Sequence, residues 1–162
     1  MPKHNFPPLY SEASEVLILG SFPSVKSREQ AFFYGHPQNR FWKVISAVLG
    51  ENEPLNIEQK KALILENRLA LWDVLHSCDI IGSSDSSIKN VVPNDIGKIL
   101  NHSKIKKIFV NGKTAEKYYK KYLEKSLGME CTVLPSTSPA NAAYSLEKLI
   151  SEWTKIKEPL GL

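Results

Sequence analysis

Short apolar runs that stop abruptly at glycine or small polar residues recur along this chain. VLILG occupies 16–20, LALWDVL 69–75, KIFVNG 107–112 and CTVLPS 131–136. A strand with one wet face alternates apolar and polar residues. An unbroken run reads instead as a strand buried on both faces, as in a parallel sheet. Helix-patterned segments separate the runs. FWKVISAVLG (41–50) places Phe41, Ile45, Val48 and Leu49 on one face, with Gly50 as a stop. Asn56 and Gln59 have the spacing of a capping box opening a helix through about Arg68. NDIGKILNH (94–102), KTAEKYYKKYLEKSLG (113–128) and AAYSLEKLISEWTKI (142–156) read as further helices, and 78–93 as a Ser-rich loop. Strands alternating with helices predict an α/β fold: a central, mostly parallel four-stranded sheet with helices on both faces.

Such sheets bind ligands beyond the carboxyl ends of their strands. GSFPSVKS, WDVLHSC, VNGKT and PSTSPAN leave those ends here, so they are expected to converge on one crevice. The 162 residues make about one domain, with 16–162 as the domain and the proline-bearing 1–15 as an irregular arm. Cys78 and Cys131 are the only cysteines, which argues against a disulfide scaffold or a Cys-ligated metal. No metal and no cofactor are expected. MPKHNFPPLYSEASE lacks a signal peptide's apolar stretch, and no run is long enough to span a bilayer. A cytoplasmic monomer is the expectation. A net charge of +4 and a pI of about 9.0 permit a polyanionic partner without demanding one.

Several segments carry groups capable of chemistry. In GSFPS, Gly20 admits close backbone approach and Pro23 stiffens the turn; the segment either grips an oxygen through backbone N–H groups or is only a tight turn. VNGKT lacks a full phosphate-loop pattern, so Lys113 and Thr114 are either phosphate contacts or solvated surface. PSTSPAN offers the hydroxyls of Ser136, Thr137 and Ser138 to DNA phosphates and a rigid Pro139–Asn141 tip to a duplex; it also suits a helix cap. GHPQNRFW (35–42) crowds His36, Gln38, Asn39 and Arg40 before an aromatic pair, which costs folding energy unless these groups are exposed or satisfied. Asn39 reads equally as a helix cap or a site residue, and His36 as structural or functional. Asp73, beside Trp72, is a site carboxylate or a paired one.

Taken together, VLILGSFPS, GHPQNRFWKVI and PSTSPAN resemble the uracil-DNA glycosylase superfamily, over about Val16 to Asn141. The middle block is similar to the H-P-x-N-R-F-W pattern of mismatch-specific uracil/thymine-DNA glycosylases. G-S-F-P-S together with a Ser-Thr-Ser-Pro-Ala-Asn loop is most similar to the hypoxanthine-DNA glycosylase branch. The resemblance implies a three-layer α/β/α sandwich and removal of a deaminated base from DNA, hypoxanthine first, with uracil or xanthine as alternatives. It implies that Asn39 is catalytic. It also implies that Tyr34 stacks on a flipped base in a pocket with Gly20, Ser21, Phe22, Pro23, His36 and Asp73. DNA would be held by Ser24, Lys113, Thr114 and Ser136, Thr137, Ser138, Pro139, Ala140 and Asn141. Phe22 departs from the pattern: mismatch enzymes carry Asn and classical uracil enzymes Asp there, to position water. The expected partner is DNA with a deaminated base, and the product an abasic site, with Lys26 the one rival for a lyase nucleophile. A noncatalytic nucleic-acid-binding module, a mismatch-specific G:U/G:T glycosylase and a small metabolite-binding protein remain open readings.

Overall fold

All five residues of VLILG are buried, and so are all five of LALWD. Successive strand side chains point to opposite faces, so complete burial means that both faces of the sheet are covered. In the computed structural model, which describes residues 2–162, these segments are β1 (Val16–Gly20) and β2 (Leu69–Asp73). The remaining strands are β3 (Leu75–Asp79), β4 (Lys89–Pro93), β5 (Lys107–Asn111) and β6 (Cys131–Leu134). The helices are α1 (Val25–Gln30), α2 (Phe41–Leu49), α3 (Ile57–Glu66), α4 (Ile96–Asn101), α5 (Lys113–Tyr122), α6 (Glu124–Leu127), α7 (Leu146–Trp153) and α8 (Lys157–Leu160).

The central sheet has four parallel strands in the order β2-β1-β5-β6. Val16 pairs with Leu69 on one side and Lys107 on the other, while Asn111 pairs with Leu134. This in-step register brings the ends of all four strands to one edge. The α/β sandwich expected from the sequence is therefore present.

Several elements differ from the sequence expectation. LALWDVL is not one strand. β2 ends at Asp73, where buried Asn94 donates its amide hydrogens to the carbonyls of Asp73 (2.8 Å) and Leu75 (3.1 Å), on either side of the break. Residues 78–93 are not simply a loop: β3 and β4 form an antiparallel hairpin with two register shifts, joined by a segment with a 3₁₀ turn at Asp85–Ser87. β4 is mostly exposed, and its two valines between polar residues and a proline make too short a run to stand out. The loop after β1 contains α1, capped by Ser24 Oγ, which accepts from Ser27 N–H at 3.1 Å. The helix after VNG breaks at Leu123. The closing helix starts at Leu146, capped by Ser145, and passes through a 3₁₀ turn into α8. At α3, Asn56 caps Gln59 N–H (2.8 Å), and Gln59 returns its amide oxygen to Leu55 N–H (2.7 Å), one residue upstream of the usual partner.

The arm runs along β2; residue 1 lies outside the described residues. Leu9 exchanges both backbone hydrogen bonds with Leu71, at 2.9 and 2.8 Å, and His4 N–H donates to His76 O at 2.6 Å. His4, Phe6 and Leu9 are buried.

Candidate active site

The carboxyl ends of the four central strands deliver Gly20, Asp73, Asn111 and Ser136 to one cavity of about 310 Å³. That volume sits at the small end of ligand pockets, about 300–1,000 Å³. Gly20 is required by its neighbours. A Cβ there would lie 2.4 Å from Asp73 Oδ1 and 3.2 Å from the Tyr34 hydroxyl oxygen. Gly112, at φ +95, lets β5 turn into α5, and its Cβ would meet Ser136 Cβ at 3.1 Å. The strand-end loops can approach one another only because both positions lack a side chain.

Thr137 organises the centre of the site. It is fully buried. Its hydroxyl donates to Asn39 Oδ1 at 2.8 Å and accepts from Asn111 Nδ2 at 3.0 Å. Its backbone N–H donates to Asn111 Oδ1 at 3.0 Å, and its carbonyl accepts from Arg40 N–H at 3.1 Å. One residue of PSTSPAN therefore fixes both asparagine amides. The expected contact between Thr137 and DNA phosphate is corrected: the side chain is inside and its hydrogen bonds are spent.

Asn39 both bonds the start of α2 and lines the cavity. Its Oδ1 accepts from Phe41 N–H at 2.9 Å as α2 begins, and also from Thr137. Both oxygen lone pairs are used, so what Asn39 has left to offer the cavity are the N–H donors of its amide. Arg40 lies outside the cavity and braces one of its loops. Its guanidinium donates to the carbonyls of Tyr144 at 2.5 Å, Asn141 at 3.0 Å and Ser138 at 3.5 Å, tying GHPQNRFW to the PSTSPAN loop.

Tyr34 lines the cavity with φ +53, a left-handed conformation that costs a non-glycine residue energy and persists where its surroundings impose it. Its ring stacks on Phe41, with centroids 4.0 Å apart and planes at 15°. The hydroxyl is buried without a hydrogen-bond partner, although the residue as a whole is half-buried. Burial, with the Asp73 charge adding to it, holds that hydroxyl well above its ordinary pKa, so it stays protonated. Asp73 is 4% exposed. His4 Nε2 lies 2.8 Å from its Oδ2, an interaction across 69 residues of sequence. The arm thereby reaches the back of the cavity wall.

Of the residues expected to form the site, Gly20, Ser21, Phe22, Pro23, Ser24, Tyr34, His36, Asn39, Asp73, Ser136, Thr137, Ser138, Pro139 and Ala140 line this cavity. Lys113, Thr114 and Asn141 do not. Lys113 is exposed at the start of α5, and Asn141 Nδ2 is spent on Ser136 O at 2.9 Å. Ser24 lines the wall but commits its oxygen to capping α1. Phe22 is 9% exposed with the Arg28 guanidinium 5.4 Å over its ring. His36 Nδ1 accepts from Gln38 N–H at 3.1 Å, which leaves Nε2 as the N–H donor of the neutral ring. Sequence reasoning missed Asn111, Asp85, Ser83, Ser27 and Phe33 on the wall, and His4 behind it. A polar residue closing an apolar strand at the binding edge was the available signal for Asn111. No group of three or more His, Cys, Asp or Glu side chains that could hold a metal occurs among the described residues. No helix of the described residues is long and apolar enough to cross a membrane.

Comparison with known proteins places this geometry in context. The family model for the Uracil DNA glycosylase superfamily matches residues 7–157. A hypoxanthine DNA glycosylase of Methanosarcina acetivorans is 37% identical over 158 residues, covering 96% of this chain and 98% of that protein. One from Methanosarcina barkeri is 32% identical over 157 residues, with the same coverage of 96% and 98%. A solution NMR structure from M. acetivorans, provisionally assigned as a uracil DNA glycosylase, superposes with a TM-score of 0.82 at 36% identity and covers 97% of both chains.

Proposed function

The chain belongs to the Uracil DNA glycosylase superfamily, and from that premise we propose that it flips hypoxanthine out of DNA and hydrolyses the bond between base and sugar. A base inside a duplex is out of reach, and extrusion costs a few kcal/mol, least where pairing is already poor. The observation that carries the reading is the pair of asparagine amides held by one buried threonine in the wall of a base-sized cavity. Breaking the N-glycosidic bond leaves charge on the departing base, and preorganised donors stabilise such charge without reorganising. The N–H groups of Asn39 point to that role. The amide of Asn111 keeps one N–H and one oxygen lone pair beyond its bonds to Thr137, a donor–acceptor pair that suits the O6 and N1–H edge of hypoxanthine. Tyr34, backed by Phe41, supplies a stacking face. The small polar residues Ser138, Pro139 and Ala140 rim the same cavity, where a DNA backbone would pass.

In this reading the nucleophile is water, which attacks C1′ of the flipped nucleotide, and the protein works as a monomer without metal. A lyase needs an amine with access to the sugar. No lysine lines the cavity, and Lys26 is more than half exposed beside Glu29, 3.4 Å away.

The test is incubation of labelled duplexes containing hypoxanthine, uracil or xanthine, followed by alkali. Alkali-dependent breakage at hypoxanthine, with no protein–DNA adduct trapped by borohydride, supports the proposal. Binding without breakage identifies a noncatalytic module instead. Breakage confined to G:U or G:T pairs moves the chain to the mismatch-specific enzymes.

A further inference from the structure

The proposed hydrolysis needs an oxygen that holds the attacking water and takes its proton. Phe22 offers only carbon at the position where the resemblance leads one to expect Asn or Asp. Asn39 cannot substitute, because both lone pairs of its Oδ1 are committed to Phe41 N–H and the Thr137 hydroxyl. Its remaining N–H groups can grip a departing base but cannot accept a proton. The oxygen of Asn111 already accepts from Thr137 N–H, and an amide is a feeble base.

The carboxylates lining the cavity are Asp73 and Asp85. Asp73 is committed. It is 4% exposed, its Oδ2 lies on His4, and its Oδ1 fills the space where a side chain on residue 20 would stand. That places it at the wall beneath the strand ends, where the base would lie. Asp85 stands in the opposite situation. It belongs to the segment joining β3 and β4, it is exposed, and it still lines the cavity, which puts it at the mouth. The sugar of a flipped nucleotide stays at the mouth when its base enters.

The Asp85 segment is pinned to the site at several points. Ser21 Oγ donates to Asp85 Oδ1 at 3.4 Å. Val25 N–H donates to Ser83 Oγ at 3.1 Å, and Arg28 donates to Gly82 O at 2.9 Å.

We propose that Asp85 is the catalytic carboxylate of this site, holding the water and accepting its proton. The assignment rests on the glycosylase reading above. As the water oxygen bonds to C1′, the bond from C1′ to the base nitrogen breaks and its electron pair leaves on that nitrogen. The water proton passes to the Asp85 carboxylate and from there to solvent. Asp85 is exposed as a residue, but desolvation where its carboxyl lines the cavity lifts it above the ordinary carboxylate range, against the hydroxyls of Thr114 and Ser21, which pull it down. A raised value brings a general base nearer the operating pH. The titratable groups around it are the Cys78 thiol of β3 and the Tyr118 hydroxyl of α5, both raised by burial and neutral at neutral pH. Of the charged residues of the adjoining α1, Lys26 and Glu29 pair with each other at 3.4 Å, and Arg28 reaches the Asp85 segment through Gly82 O.

Single-turnover release of hypoxanthine against pH tests this in wild type, Asp85→Asn and Asp85→Ala. Wild-type rate should fall on the acid side, as the carboxylate of the base becomes protonated. Asp85→Asn should lose on the order of 10²-fold or more and lose that acid limb, since general bases contribute about 10²–10⁴-fold. Affinity for a duplex with an uncleavable analogue should hold or tighten, because a negative charge near phosphates is gone. Added formate should restore rate to Asp85→Ala, which an exposed mouth permits, and not to wild type. A loss smaller than about tenfold, an acid limb that persists in Asp85→Asn, or no response to formate overturns the assignment while leaving the glycosylase reading intact. A wild type that releases no base overturns that reading itself, and the assignment with it.

Discussion

Replacing Thr137 by Val keeps the shape of the side chain and removes only its hydroxyl. Two hydrogen bonds disappear, to Asn39 Oδ1 at 2.8 Å and from Asn111 Nδ2 at 3.0 Å. The backbone bond to Asn111 Oδ1 remains, as does the cap from Asn39 to Phe41 N–H. Each lost bond is worth about 0.5–1.5 kcal/mol net, so the variant should lose about 1–3 kcal/mol of stability. For a chain of this size that lowers the melting temperature by about 2–12 °C. The larger effect is expected on chemistry. Both amides lose the group that orients them, and a displacement of about 1 Å at a reacting centre can cost about 10²-fold. Single-turnover base release should therefore fall on the order of 10²-fold, while affinity for uncleavable DNA changes little. Thr137→Ser restores the hydroxyl and should restore most of both. A Thr137→Val protein that melts lower yet releases base at the wild-type rate would refute positioning of the amides by this hydroxyl. An unchanged melting curve would refute the hydrogen bonds themselves.

Asn39→Asp retains an oxygen for Phe41 N–H and Thr137 but exchanges the N–H donors for a second oxygen and a negative charge, so base release should fall by at least about 10²–10³-fold; Asn39→Ala removes the donors without adding charge and should also lose about 1 kcal/mol of stability with the cap. A normal rate in Asn39→Asp, measured beside its denaturant melt, would remove the donor role. His4→Ala strips the hydrogen-bond partner from a buried carboxylate, and leaving a buried acceptor unsatisfied costs about 1–3 kcal/mol, or about 2–12 °C in melting temperature. Combined with Asp73→Ala the loss should be smaller than the sum of the single losses; strict additivity would mean that the arm and Asp73 are not coupled.

The central sheet was legible because β1, β2 and β5 hold continuous apolar runs, as strands covered on both faces do, while the half-buried edge strand β6 keeps a shorter one. The hairpin was hidden for the converse reason. Lys89–Pro93 keeps most of its residues at the surface, and Asn94, which splits LALWDVL in two, acts through side-chain bonds that no periodicity announces. The same blind spot concealed Asp85, a polar residue among serines. His4 meets Asp73 across 69 residues, and nothing local marks a pairing at that distance. Asn39 was visible as a polar residue at the start of a helix, but its division between cap and donor depends on where Thr137 lands. Thr137 itself looked like surface because its neighbours are small and polar. Its burial follows from the approach of Gly112 to Ser136, a contact between loops at separate strand ends.

The most direct measurement follows the two products in heavy-oxygen water. The chain is incubated with a duplex carrying one hypoxanthine, free base is quantified by chromatography, and the sugar left in the strand is examined by mass spectrometry after immediate reduction. The account predicts one free hypoxanthine per abasic site and heavy oxygen at C1′ of the exposed sugar. Bound duplex with no free base, or a sugar carrying a lysine adduct in place of the solvent oxygen, would contradict it.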